Sequence, residues 1–518
     1  MIIKIKNKKV VFRNPDLFIP EAKAINLEHI LSNLYMLMAF DGMPVTLGII
    51  KGGHTIETLK QCMLTLETKG IITGVSDNLE AAEDWLRSNL VNMVFRGNVV
   101  KENVSSLRPM HLMCYRIQNR KYNRDYSAGD QIYMMLRQAP EVLVQLKKYL
   151  SNGWDTSTNS IISAEELDVD TAGILHLTQA ITEKRKPNTS INTIKPLLKE
   201  QTDLFNEDIR RLLVYKGTLP RNTFIEYLRI LIGFHLSLYL MKIVYLLPKM
   251  CKQGKIEVED DWSMVLDVTD NLDSNVAPLA CADMEKMMNS FNQYFRNTFQ
   301  INVIQANNKA FGKPSDISSV LNDLKSIDKS YVWYQVEIMN ILREIPEEED
   351  ADAVKEMLQF FDDDDFFDKY IYLLEKTSGG SAYQHKYHIW FLDSVAMKNK
   401  DSMLIADGRR SRRHPRRGVM GSKLLETLVQ INILDKNEAG AYYSHSLSID
   451  ELSETLRQRY GLIINGVGEE RFKDADIQTL AAFKDNMDAF KNKLRQIGFY
   501  TDLSDACLLQ KIRPRYKI

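Results

Sequence analysis

FIEYLRILIGFHLSLYLMKIVYLL, residues 224–247, is the strongest hydrophobic stretch in the chain, and its reading decides the fold. Three charges interrupt it, Glu226, Arg229 and Lys242, and the longest uncharged piece, Ile230–Met241, is 12 residues. A membrane-spanning helix needs about 20 predominantly apolar residues. The stretch therefore reads as a buried core helix, and no membrane partner is expected. Outward from it, apolar residues recur with the 3.6-residue period of helices. Helices are predicted at Leu79–Leu90, Gly129–Leu136, Glu141–Tyr149, Ala164–Thr182, Ile194–Tyr215, Met284–Thr298 and Ser315–Arg343, with loops at Asn152-Gly153, Lys186-Pro187-Asn188 and Gly312-Lys313-Pro314. There is no repeat of fixed period and no strand–glycine-loop–helix unit, so neither a solenoid nor a doubly wound nucleotide fold is expected.

Both ends read differently from this helical middle. Near the N-terminus, Ile2–Phe12 suggests a short strand arm, and Leu27, Ile30, Leu31, Leu34, Leu37 and Met38 form one helical face. A second helix starts after Thr55 and stops at Lys69-Gly70, and Ile71-Ile72-Thr73 reads as a strand. That order resembles a winged helix. Near the C-terminus, Leu424, Leu425, Leu428 and Ile431 mark one helix. The capping box Ser448-Ile-Asp-Glu451 opens a second, closed by Gly461. A third carries Ile477, Leu480, Met487, Phe490, Leu494 and Ile497, followed by extended pieces at 499–501 and 506–512. The expected fold is mainly α and multi-domain. Its segments are an N-terminal winged-helix-like module (1–78), a helical middle (79–343), an acidic segment with an arginine-rich loop (344–418), and a C-terminal winged-helix-like module (419–518).

Composition narrows the function classes. Hydrophobic residues are 44% and charged residues 26% of 518, ordinary values for a folded protein. The net charge of −1 excludes a globally basic nucleic-acid coat, so attraction to a partner must come from local charge. Five well-separated cysteines without a C-x-x-C pair read as reduced thiols, and the N-terminus has no signal-peptide pattern, so a cytoplasmic location is expected.

Charge then segregates. Glu344 to Asp368 contains 12 acids and one base, Lys355. About forty residues on, Arg409, Arg410, Arg412, Arg413, Arg416 and Arg417 place six arginines in nine positions, in a stretch that Gly408, Pro415 and Gly418 mark as a loop. Six neighbouring guanidiniums repel one another unless anions lie among them, and guanidinium binds phosphate bidentately. The run is thus the leading candidate for phosphate contact, with cis pairing to the acidic segment or plain solvation as the alternatives. Lys484, Lys491 and Arg495 share one side of the last helix, and Arg513, Arg515 and Lys517 follow. From Lys484 onward there are eight bases and four acids, a balance suited to nonspecific phosphate contact.

Catalytic patterns are weak by comparison. Asp362–Asp365 are consecutive and point all round a helix. Asp267, Asp270 and Asp273 follow Met264-Val-Leu266 but lack Asp-x-Asp spacing. His385 and His388, with Asp393 beyond, are better read as ordinary histidines entering the apolar run Ile389-Trp-Phe-Leu392. No cofactor and no metal are expected.

The segments Met420–Leu434, Leu456-Arg-Gln-Arg-Tyr-Gly-Leu-Ile463 and Leu494-Arg-Gln-Ile-Gly-Phe-Tyr-Thr-Asp-Leu-Ser-Asp505 resemble large helical accessory proteins of bacterial anti-phage defence islands, in methylation-associated or phosphorothioation-linked systems. The resemblance covers about 100 residues, without a defining motif. It implies a non-catalytic DNA-binding or scaffold subunit beside an ATPase or nuclease. The partners expected are the phosphate backbone of duplex DNA and other protein subunits. The alternatives are a metal-dependent nuclease or phosphohydrolase using an Asp cluster, and a pure protein–protein adaptor.

Replacing Arg409, Arg410, Arg412 and Arg413 with Ala is expected to weaken binding to unrelated DNA sequences alike. It should also flatten the slope of log K against log salt by about 0.9 for each phosphate no longer neutralised. A binding titration across salt concentrations reads both; an unchanged slope assigns the run to one of its alternatives.

Overall fold

The apolar stretch lies inside one helix, Arg221–Gln253. It is long and apolar enough to cross a membrane, but 94% of its most apolar window is buried inside the protein. Each charge that interrupts it is paired: Glu226 with Lys423 at 2.6 Å, Arg229 with Glu28 at 2.5 Å, and Lys242 with Asp260 at 2.6 Å. Pairing matters most for Lys242, which is buried, since an unpaired buried ion costs several kcal/mol; Arg229 is partly buried, and Glu226 and Lys423 meet near solvent.

The structure, a computed structural model, describes residues 2–5, 11–43, 45–47, 54–95, 98–119, 121–163, 167–180, 185–187, 193–377, 379–397, 399–406, 415–500 and 511–518. Helices dominate, with 17 among the described residues and mostly short strands between them. The chain divides into two units, each assembled from three separate stretches: Met1–Ala24, Ser237–Gly421 and Ile449–Thr501 in the first, and Ile25–Leu236, Ser422–Ser448 and Asp502–Ile518 in the second. The division falls within the core helix.

In the second unit the helix Leu27–Ala39 starts where Asn26 accepts the Glu28 N–H at 2.9 Å. It buries the expected face, and the Tyr35 hydroxyl donates to the Pro109 carbonyl at 3.0 Å. Next come a strand (Val45–Leu47), helices (Ile56–Thr68 and Leu79–Ser88) and a hairpin (Leu90–Phe95 with Asn98–Leu107). The order is that of a winged helix, but the pairing is not. Val45–Leu47 pairs antiparallel with Arg185–Pro187 rather than with the hairpin. Ile71–Thr73, expected as a strand, is a bend. Gly70 and Gly74, at φ +68° and +84°, turn the chain on either side of it.

In the first unit the N-terminal arm makes one isolated parallel bridge, Ile3 with Thr377, where the Ile3 N–H donates to the Lys376 carbonyl at 2.7 Å, and side chains hold it further along. Phe12 meets Tyr294, Phe295 and Phe299 of the helix Ala277–Ala310 edge-on, and Asn14 donates to Asn302 and Gln305, both at 2.8 Å. Beside this cluster lies a four-stranded sheet in the order Leu462–Ile463, Met264–Asp267, Arg417–Val419, Ile405–Ala406. Its first three strands are parallel and the last antiparallel. Asn486, fully buried on the helix Ile477–Gln496, ties the sheet to that helix. It donates to the Leu266 and Ile464 carbonyls at 2.8 Å and accepts the Val268 N–H at 2.9 Å.

The three helices expected as one C-terminal module are shared between the units. Ser422–Asn432 and the hairpin Leu434–Lys436 with Tyr442–Ser444 belong to the second, whereas Ile449–Tyr460 and Ile477–Gln496 belong to the first. The expected wing at 499–501 and 506–512 lies mostly outside the described residues.

Two buried histidines give the stability a pH dependence. His111 accepts the Met113 N–H through Nδ1 and donates from Nε2 to the Asn152 carbonyl, so both nitrogens are used by the neutral ring. Burial, with Arg221 nearby, lowers its pKa to about 3. His388, among Phe12, Phe291, Tyr294 and Phe295, is lowered to about 4, chiefly by burial. A depressed folded pKa means the unfolded chain binds the proton first, so stability present above pH 6.5 is lost as pH falls. His388 is expected to account for about 3 kcal/mol of loss between pH 6.5 and 4. Denaturant unfolding of His388→Phe should show a shallower acid dependence over that range; a dependence equal to the wild type contradicts the assignment.

Candidate nucleic-acid interface

The arginine run is carried by the antiparallel pair Ile405–Ala406 and Arg417–Val419, with register Ile405↔Gly418 and Ala406↔Arg417. Gly418 lets the second strand approach the centre of the sheet, because a Cβ there would lie 2.7 Å from the Val265 carbonyl. The end of the run is held at three points. Arg417 Nε donates to Asp267 Oδ2 at 2.7 Å, with both side chains nearly sealed from solvent at 7% and 0% exposure. Arg416 pairs with Asp393 of the helix Ser381–Ala396 at 2.7 Å. The Pro415 carbonyl faces the Cys281 thiol at 3.9 Å.

On sequence alone, such arginines cannot be buried for want of partners, yet Arg416 and Arg417 have theirs. The partners are Asp393 and Asp267 rather than acids of 344–368. Arg409, Arg410, Arg412 and Arg413 lie outside the described residues. The acidic segment finds its own cations: Asp365 and Asp368 meet Lys329, Asp368 also meets Arg296, and Asp352 meets Lys355. Asp362, Asp363 and Asp364 are exposed at the surface.

Asp267 ends its strand as the sequence suggested, but its oxygens are occupied. Oδ1 accepts the Thr269 N–H at 3.0 Å and hydroxyl at 2.6 Å, and Oδ2 takes Arg417. Nearby, Lys493 is buried with Nζ 3.9 Å from Asp270. Burial lowers its pKa against the opposing pull of Asp270 and Asp267. Sequence reasoning missed Lys493 because it sits among lysines expected to be exposed. On the same helix Lys484 and Arg495 are exposed and Lys491 is half-buried, its Nζ 5.3 Å from the centre of the Tyr500 ring. Arg513, Arg515 and Lys517 are exposed in the second unit, where Arg515 pairs with Glu426 at 2.5 Å. The expected basic residues are thus divided between the two units.

Sequence reasoning also missed the outer face of the helix Ser381–Ala396. His388, Ile389, Phe391, Leu392 and Val395 turn inward. His388 donates from Nδ1 to the Gln384 carbonyl at 2.8 Å, and His385 is half-buried, with its pKa lowered by burial and then by Arg416. Tyr383, Tyr387 and Trp390 form a ladder on the opposite side, with ring centres 4.4 and 5.4 Å apart. Their spacing, i, i+4 and i+7, was the available signal.

A family model described as methylation-associated defense system protein MAD7 matches residues 7–516, nearly the whole chain. The chain belongs to this family. The defence-system kinship expected from its C-terminal segments therefore holds. No curated protein and no solved structure matches the chain.

The Arg417–Asp267 pair is expected to be structural. Arg417→Met or Asp267→Asn alone should destabilise the first unit by about 3–5 kcal/mol, because each strands a buried partner. The double variant Arg417→Met/Asp267→Leu should recover much of that loss. Urea unfolding of the three variants measures the coupling; additive losses contradict a direct pair.

Proposed function

We propose that this MAD7-family chain is a non-catalytic, DNA-binding subunit of its defence system, acting as a scaffold beside other protein subunits in the cytoplasm. The observation that carries the reading is the anchored strand pair. Arg416 and Arg417 are neutralised by Asp393 and Asp267, while the sequence places Arg409, Arg410, Arg412 and Arg413 between Ala406 and Pro415. Guanidiniums repeated on such a connection suit the phosphate backbone, which fixes position without reading bases. Lys484, Lys491, Arg495, Arg513, Arg515 and Lys517 are further candidates for the same role. The occupied oxygens of Asp267 support a non-catalytic reading over a metal-dependent one.

Duplex DNA titrated with the intact protein at rising salt is the test. Binding should weaken linearly in log salt, and DNA incubated with protein and Mg²⁺ should stay uncut. No binding at low salt would favour the adaptor reading, and Mg²⁺-dependent cleavage abolished by Asp267→Ala would replace the proposal with a nuclease.

A further inference from the structure

We infer that the outer face of the helix Ser381–Ala396 is a stacking platform for single-stranded nucleic acid; this rests on the DNA-binding reading and names a second form of its ligand. Tyr383 and Trp390 are 48% and 39% exposed, with the partly buried Tyr387 between them. The Tyr387 hydroxyl donates to that of Tyr383 at 2.6 Å, which holds the two rings in one arrangement. The ladder spans about 10 Å along the helix at about 1.5 Å per residue, room for two or three bases.

The chemistry of the face selects the ligand. A surface meant for a neighbouring helix can use aliphatic side chains, as in the exposed stripe Val332, Val336 and Met339 on the helix Val332–Glu344. Here Tyr383 and Trp390 are the exposed rings, with Tyr387 packed edge to face between them at 66° and 84°, and an exposed ring offers a π surface that any base can cover whatever its sequence. The charges agree. The helix has one lysine, Lys386, whose Nζ stands 4.7 Å from the centre of the Trp390 ring. Its one carboxylate, Asp393, is neutralised by Arg416, so phosphates approaching the ladder meet a cation and no uncompensated anion of this helix. A duplex keeps its base faces inside its own stack, so the platform distinguishes separated strands from paired ones.

The test is fluorescence anisotropy on the full chain, using labelled oligo(dT) of about 15 nucleotides, within the span of common single-strand sites, and a labelled duplex. Trp390→Ala is expected to weaken oligo(dT) binding about tenfold with an unchanged salt slope, because no phosphate partner is removed. Trp390→Phe should restore most of it, Tyr383→Ala should lower it independently, and duplex affinity should hold in all three. Circular dichroism and the unfolding midpoint confirm that each variant is folded. Oligo(dT) affinity unchanged in Trp390→Ala, or equal losses on single strand and duplex, overturns the platform while leaving duplex binding standing. A wild-type protein that binds neither ligand at low salt sinks the platform together with the DNA-binding reading.

Discussion

A guanidinium and a carboxylate nearly sealed from water, Arg417 against Asp267, tie together the sheet of the first unit. They join two neighbouring parallel strands across 150 positions of sequence. Removing two ions from water costs several kcal/mol for each, and their attraction offsets this only when geometry and remaining hydrogen bonds are good. Here Thr269 satisfies the second carboxylate oxygen and Gly418 lets the strands close. The pair thereby fixes where the arginine-rich connection ends and where the sheet begins. Arg416 and Pro415 extend the same anchorage to the helices Ser381–Ala396 and Ala277–Ala310.

The same rule organises the core helix. Lys242, the buried charge of that helix, meets Asp260, and Arg229, partly buried, meets Glu28, so a sequence apolar enough for a bilayer packs inside a protein. Charge in this molecule divides into ions neutralised in place, among them Asp267, Asp393, Arg416 and Arg417, and ions displayed at the surface, among them Asp363, Asp364 and Lys484.

Features set by local sequence were legible. The helical period located Leu79–Ser88, Ala128–Leu136 and Pro140–Leu150 to within two residues, but it fell short of both ends of Ala277–Ala310 and merged Ile317–Lys325 with Val332–Glu344, where a turn breaks the helix; the core helix was recognised from its interrupting charges, and Ser448 marks the start of Ile449–Tyr460. The 16 residues between Tyr460 and Ile477 contain a short strand and a 3₁₀ turn. Features set by distant pairing were not legible. Strands of two to four residues carry almost no periodic signal, and their partners lie far along the chain, so the parallel sheet and the pairing of Val45–Leu47 with Arg185–Pro187 went unread. Burial of Arg417 depends on Asp267 and cannot be inferred from the arginine run alone. Trp390 was hidden by its neighbours: in Ile389-Trp-Phe-Leu392 it looks like core, and only its phase with Tyr383 and Tyr387 places it outside.

Under the proposed function, nucleic acid docks on the first unit at the arginine-bearing strand pair and the adjoining aromatic helix. Hydrogen–deuterium exchange of the intact protein with and without DNA tests it most directly, because it reports which backbone segments become protected. New protection is expected in peptides covering 381–397 and 403–421. Protection confined to 477–518, or none anywhere under conditions where DNA is bound, would contradict it.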